Sequence, residues 1–229
     1  MRRFFSKEMI FLLVLLFGMN IVRGGFDLMD MLISLPGIII GLAFHEFAHG
    51  AVSYALGDPT PKMQGRLTIN PMAHIDPIGF LCLMFAGFGW GVPVQVDPRY
   101  YKNRRRDEFL VSIAGVTMNL ILAILFSLLI RVLFMVNPAW LGGEVGTILM
   151  EMLIQVVIIN LVLMVFNLIP VPPLDGFGIL TQIFKLDRFD WYWKIYQNGF
   201  LILMVLIIFD VTDMILGPVC GFFYDLLLY

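Results

Sequence analysis

The residues best suited to do chemistry are crowded into five positions. His45-Glu46-Phe47-Ala48-His49 sets two imidazoles and a carboxylate in an otherwise apolar stretch and holds two of the chain's three histidines. On a helix, His45 and His49 lie one turn apart on the same face. Two imidazoles so placed can reach one zinc ion at about 2.0–2.1 Å. Glu46 lies about 100° round the helix from His45, beside the metal face. That position suits a general base acting on the hydrolytic water. A structural polar patch between helices would use the same residue types, but the setting argues against it. A charge in the middle of a membrane helix costs about 2.5–3.5 kcal/mol on insertion scales, and a divalent cation supplies the compensating partner.

A catalytic zinc site wants a third protein ligand and one open position. The candidate is Asp175, in Asn167-Leu168-Ile169-Pro170-Val171-Pro172-Pro173-Leu174-Asp175-Gly176. The prolines must break the helix there, and broken backbone at membrane depth is tolerated where it lines protein or a water-filled site. From these residues alone, a metal ligand and a solvated aspartate in a Pro-rich turn stand equally open. His74 has three readings: a resting-state fourth ligand, a gate on substrate access, or a turn residue. The flanking Asn70-Pro71 and Asp76-Pro77 favour the turn. Cys82 and Cys220 lie far apart in apolar surroundings and read as small buried hydrophobes.

The elements that must position these residues are membrane helices. Of 229 residues, 60% are hydrophobic and 14% charged, with a mean hydropathy of +0.90. Soluble domains sit near 45–50% and about 25%. Apolar runs at Met9–Val22, Met31–Leu56, Phe109–Val136, Thr147–Ile169 and Gly199–Leu216 approach the roughly 20 residues a span needs. The first resembles a signal peptide's charged and apolar regions but lacks a convincing cleavage site, so we expect an uncleaved first span. Val219–Tyr229 is expected to lie along the interface.

Arg2, Arg3 and Lys7 place the N-terminus in the cytoplasm, and the segments with Lys62 and Arg66, with Arg99–Arg106, and with Lys185, Arg188 and Lys194 fall on the same side. Ile78–Trp90 is too short to cross and should dip in and return. Alternation in Gly65–Ile69 and Pro93–Asp97 suggests short strands. The expected fold is an all-α multi-pass membrane bundle of about five or six transmembrane helices, with a short re-entrant β-containing segment. It forms one membrane-embedded domain over residues 1–229. His49 lies about 11 Å from the cytoplasmic end of its span, at 1.5 Å per residue.

With both motifs in view, the chain resembles the site-2 protease family of intramembrane zinc metalloproteases, in particular its compact prokaryotic members. That family is marked by HExxH and a distal Asn-Pro-Asp-Gly motif. The matching residues are His45, Glu46 and His49, then Asn167, Pro170, Pro172, Asp175 and Gly176, with Leu168 where the family usually has proline. Gly115-Val116-Thr117-Met118-Asn119 matches a further Gly-x-x-x-Asn element. Asn70–Pro77 and Gly89–Val94 resemble the connecting segments of the compact members. The resemblance covers Gly41 to Gly176.

The resemblance implies Asp175 as third ligand to one zinc per chain, and substrates that are transmembrane segments of other proteins in the lipid bilayer, in the cell membrane. Glu46 would then take a proton from water and return it to the leaving amine. Asn119 and Asn167 would donate to the oxyanion or the substrate backbone, the alternative being helix-packing amides. Substrate helices must unwind to expose their carbonyls, and an edge near Gly89–Val96 is expected to receive the unwound strand. The competing reading is a non-enzymatic membrane zinc protein, a transporter or sensor. The basic cluster Arg99–Arg106 needs only anionic lipid and the positive-inside bias to account for it, and we expect no nucleic-acid partner.

Overall fold

The computed structural model describes residues 27–228 except 87, 88 and 137, together with Val14 and Gly18. The expected first span, Met9–Val22, and the basic residues before it lie outside the described residues but for those two positions.

Helix α1 (Leu28–Ala55) carries the HExxH motif. The Asp27 side chain caps it, accepting from the Met29 N–H at 2.7 Å. It stops where Gly57 takes φ +106°, a conformation glycine adopts without strain. α2 (Pro77–Ala86) follows after a loop. Asp76 Oδ1 accepts from the Ile78 and Gly79 amides, both at 2.9 Å, and Pro77 opens the helix, where its missing N–H costs nothing. α3 (Arg104–Val136) and α4 (Glu144–Asn167) form an antiparallel pair. Val116, Ala123 and Ile130 of α3 pack with Met150, Val157, Leu161 and Met164 of α4. α1 crosses the same pair closely: a Cβ on Gly37 would lie 3.0 Å from the Gln155 carbonyl oxygen and 3.1 Å from Val156 Cα. Small residues permit such crossings in a medium that offers no hydrophobic drive between helices.

A Pro-rich loop joins α4 to α5 (Asp175–Phe184), which docks on the start of α3. Gln182 Nε2 donates to Glu108 Oε2 at 2.5 Å, and Arg105 pairs with Asp187 at 3.3 Å. α6 (Asp190–Ile208) and α7 (Val211–Leu228) complete the chain.

Among the described residues, five helices, α1, α3, α4, α6 and α7, are long and apolar enough to cross a membrane. The last two differ from expectation. The run Gly199–Leu216 is not one helix, because the chain breaks at Phe209–Asp210, where Asp210 has φ +56°. Val219 and its successors continue in α7 and pack on α4. Leu203 and Met204 of α6 pack on Ile169 and Leu174. Further along, Leu216, Cys220, Phe223 and Leu227 pack on the α3–α4 cluster. Arg131 Nη2 of α3 donates to the Leu227 carbonyl at 2.9 Å, so the far end of α7 lies beside the far end of α3.

The expected β content is also corrected. Neither Gly65–Ile69 nor Pro93–Asp97 is a strand; the described residues contain only an isolated antiparallel bridge, Ile75 to Gly91. That bridge and a bond from the Val92 N–H to the His74 carbonyl, 2.7 Å, bring the two ends of the α2 segment together. Between them, most of the stretch expected to dip in and return, Ile78–Trp90, is the helix α2.

Candidate metal centre

α1 projects His45 and His49 toward α3, and the packing there requires glycine at 115. A Cβ on Gly115 would overlap His45 Cε1 and His49 Nε2, and would come within 2.7 Å of His45 Nδ1. One turn further along α3, Asn119 Oδ1 meets His45 Nδ1 at 2.7 Å. His49 Nδ1 meets the Val111 carbonyl oxygen, also at 2.7 Å. A carbonyl only accepts, so His49 carries its proton on Nδ1 and presents a lone pair at Nε2. The Asn119 amide, held by its own partners, imposes the same tautomer on His45.

Asp175 reaches this point from the opposite side, in the first turn of α5. A Cβ on Gly176 would overlap the Leu168 carbonyl and come 2.8 Å from Ile169 O. Glycine there lets α5 start directly against the end of α4. Asp175 Oδ2 then lies 3.4 Å from His45 Nε2 and 3.3 Å from His49 Nε2, and the two Nε2 atoms are 3.1 Å apart.

Zinc bonds of about 2.0–2.1 Å at tetrahedral angles set ligand atoms about 3.3–3.4 Å apart, so three atoms in this triangle fit one zinc ion. Two facing lone pairs at 3.1 Å repel unless a cation lies between them. Asp175 Oδ2 is buried and has no hydrogen-bond partner in the protein, a costly arrangement for a carboxylate that a metal removes. Among the described residues, His45, His49 and Asp175 form the group of His, Cys, Asp or Glu able to hold an ion. His74 is not in it. Fully buried, it sits in a turn, with Nε2 against the Thr68 carbonyl at 2.8 Å.

Glu46, next to His45 on α1, accepts from the Val94 N–H at 2.9 Å through Oε2. The strap 91–97 is thus tied to α1 at the carboxylate itself, and again where the Asp97 N–H reaches Asp58 Oδ2 at 2.8 Å. Asn167 ends α4, its amide bonded back to the Leu163 carbonyl at 2.9 Å. Asn119 is fully buried, and both ends of its amide are engaged within the fold. Asn160, which the sequence reading passed over, is equally buried and bonds to Asn119. A polar amide at the centre of an apolar span was the signal available for it.

Fold and site together define a helical protein built to span a membrane, with an HExxH helix and a His-His-Asp group able to hold a metal ion. The chain belongs to Peptidase family M50, the site-2 protease family, whose model matches residues 33–209, and it is accordingly an intramembrane zinc metalloprotease. It is 37% identical over 187 residues to "Putative zinc metalloprotease YwhC" of Bacillus subtilis, covering 79% of this chain and 82% of that one. It is 29% identical over 197 residues to "Putative zinc metalloprotease Rip2" of Mycolicibacterium smegmatis, covering 83% and 72%. Rip2 of Mycobacterium tuberculosis is 33% identical over 152 residues, covering 64% and 55%. No solved structure matches the chain.

Proposed function

We propose that His45, His49 and Asp175 hold one zinc per chain, and that Glu46 is the acid–base residue in cleavage of peptide bonds in or near transmembrane segments of other membrane proteins. The observation that carries this is the triangle of two Nε2 atoms and one orphaned carboxylate oxygen, with edges of 3.1–3.4 Å. Zinc held there supplies a Lewis acid for the scissile carbonyl and lowers the pKa of water to about 7. Glu46 takes the proton of the attacking water and delivers it to the leaving amine. The Val94 N–H on Oε2 fixes the rotation of that carboxylate. Asn167, at the mouth of the Pro-rich loop, is the amide we assign to the oxyanion or substrate backbone.

The strap presents the substrate. Val92 and Val94 turn their N–H groups inward, while Pro93 and Gln95 are exposed. Backbone groups alternate sides along an extended chain, so the N–H and C=O of Gln95 lie on the outer edge, open to an unwound substrate strand. The α2 segment is a re-entrant hairpin that buttresses this strap. The basic segments Lys62–Arg66, Arg99–Arg106 and Lys185–Lys194 face the cytoplasm, the N-terminus with them, and the metal lies in the cell membrane nearer that face.

The test is Glu46→Gln in the purified full chain with a transmembrane substrate. Cleavage should fall by roughly 10²–10⁴-fold with zinc content unchanged. Unchanged cleavage would remove Glu46 from the chemistry. Zinc-dependent transport that survives Glu46→Gln would support a non-enzymatic carrier instead.

A further inference from the structure

Behind His45 runs a chain of buried amides that the reaction itself does not use. We propose that Asn119 and Asn160 form a positioning relay that fixes the tautomer and rotation of His45 and thereby sets how tightly the site holds its metal. The proposal rests on the metal-site reading above.

The relay can be followed bond by bond from α4. Asn160 Nδ2 donates to the Val156 carbonyl at 2.8 Å. That carbonyl only accepts, so the Asn160 oxygen must face the other way. There it accepts from Asn119 Nδ2 at 2.9 Å. The second hydrogen of Asn119 Nδ2 goes to the Gly41 carbonyl at 3.2 Å. With both amide hydrogens used, only Asn119 Oδ1 faces His45 Nδ1, 2.7 Å away. Flipping either amide would set donor against donor or oxygen against oxygen in a region closed to water, since Asn119 and Asn160 are both 0% exposed. His45 is left one state, protonated at Nδ1 with its Nε2 lone pair facing Asp175 and His49.

Gly41 extends the grip to the backbone. Four residues before His45, its carbonyl is the helical acceptor for the His45 N–H. Asn119 therefore holds the ring and the turn of helix that carries it. A Cβ on Gly41 would lie 3.3 Å from Asn160 Oδ1, so glycine there leaves the relay room to form. His49 needs no such device, because the Val111 carbonyl sets its tautomer directly.

Groups behind a ligating histidine typically govern about 10–100-fold of metal affinity. A plain packing role for the two amides, as interhelical glue, would instead show in stability alone. The discriminating experiment is zinc affinity by chelator competition on the purified full chain, with thermal unfolding measured in parallel. Asn119→Leu should weaken zinc about 10–100-fold. Asn160→Ala, which leaves Asn119 in place but frees its amide to turn, should weaken it in the same direction. It also provides the reading where Asn119→Leu does not fold. Asn119→Asp keeps an acceptor opposite His45 Nδ1 but sets its second oxygen against the Gly41 carbonyl and Asn160 Oδ1, so its zinc affinity should fall between those of Asn119→Leu and wild type.

If folded Asn119→Leu and Asn160→Ala bind zinc as wild type does, and only their melting temperatures fall, the relay is wrong and the amides merely pack. That failure is distinct from failure of the metal site, in which wild type and Asp175→Ala would take up equally little zinc.

Discussion

At position 115 a single methyl group is enough to close the site. Both imidazoles occupy the space a Gly115 side chain would need, so Gly115→Ala should expel the zinc while the helices still form. Zinc content near zero, with unchanged helical circular dichroism, is the expected result; a loaded Gly115→Ala protein would mean that α1 and α3 pack differently. This explains the spacing of Gly115 and Asn119 in physical terms. One turn apart, they face the same helix neighbour, the first making room for the rings and the second holding one of them. The histidine pair was legible in the sequence because a helix fixes their spacing locally. The part of Asp175 was not, since its approach to His45 depends on a turn and a docking surface 130 residues downstream. The residues left it level with a solvated aspartate in a turn, and the resemblance decided for the ligand. Asn160 escaped notice for the same reason, its partner being on another helix.

At the scale of elements, the strap 91–97 shows why alternation was misread as strand. The alternating exposure over 92–96 is real, but the amides of Val94, Asp97 and Val92 bond to the Glu46 carboxylate, the Asp58 carboxylate and the His74 carbonyl, not to a neighbouring strand. Gln95→Pro, which removes the outward N–H, should cut cleavage of a transmembrane substrate about tenfold while leaving zinc content intact; unaffected cleavage would place the substrate elsewhere. Asp58 anchors the strap's far end and is fully buried. It accepts from Ser53 Oγ at 2.8 Å and the Thr60 amide at 2.9 Å, besides the Asp97 amide. Burial alone would raise its pKa, but hydrogen bonds from Thr60, Asp97 and Ser53 outweigh burial and hold it below the usual carboxylate range.

A pKa lowered by folding contributes stability that is present above the unfolded value, about 3.9, and is lost as pH falls through the folded one. Asp58→Ala should therefore lower stability at neutral pH by about 1–3 kcal/mol, read as a lower melting temperature in detergent. The fall in melting temperature below about pH 4 should be shallower in that variant than in wild type. Equal acid slopes would remove Asp58 from the account. The break at Asp210 was hidden for a different reason: the residues on both sides are apolar, and hydropathy does not register direction.

For the whole molecule, the expected helical bundle stands, with the spans of α1, α3 and α4 near their expected limits. α7 packs along α4 while α6 packs on the loop that follows it, so the pair should cross the bilayer once. The Arg131–Leu227 bond puts the end of α7 at the face opposite the basic start of α3. Single-cysteine variants at Lys102 and Leu226 should therefore be labelled from opposite sides of the membrane, and labelling from one side would show that α6 and α7 fold back as a hairpin. The central claim, a zinc site built by α1 and α5 across α3, is tested most directly by metal analysis of the purified chain beside Asp175→Ala. The account predicts close to one zinc per wild-type chain, largely lost in the variant. Wild-type protein that is folded and carefully prepared yet free of zinc, or an Asp175→Ala protein that keeps it, would contradict the account.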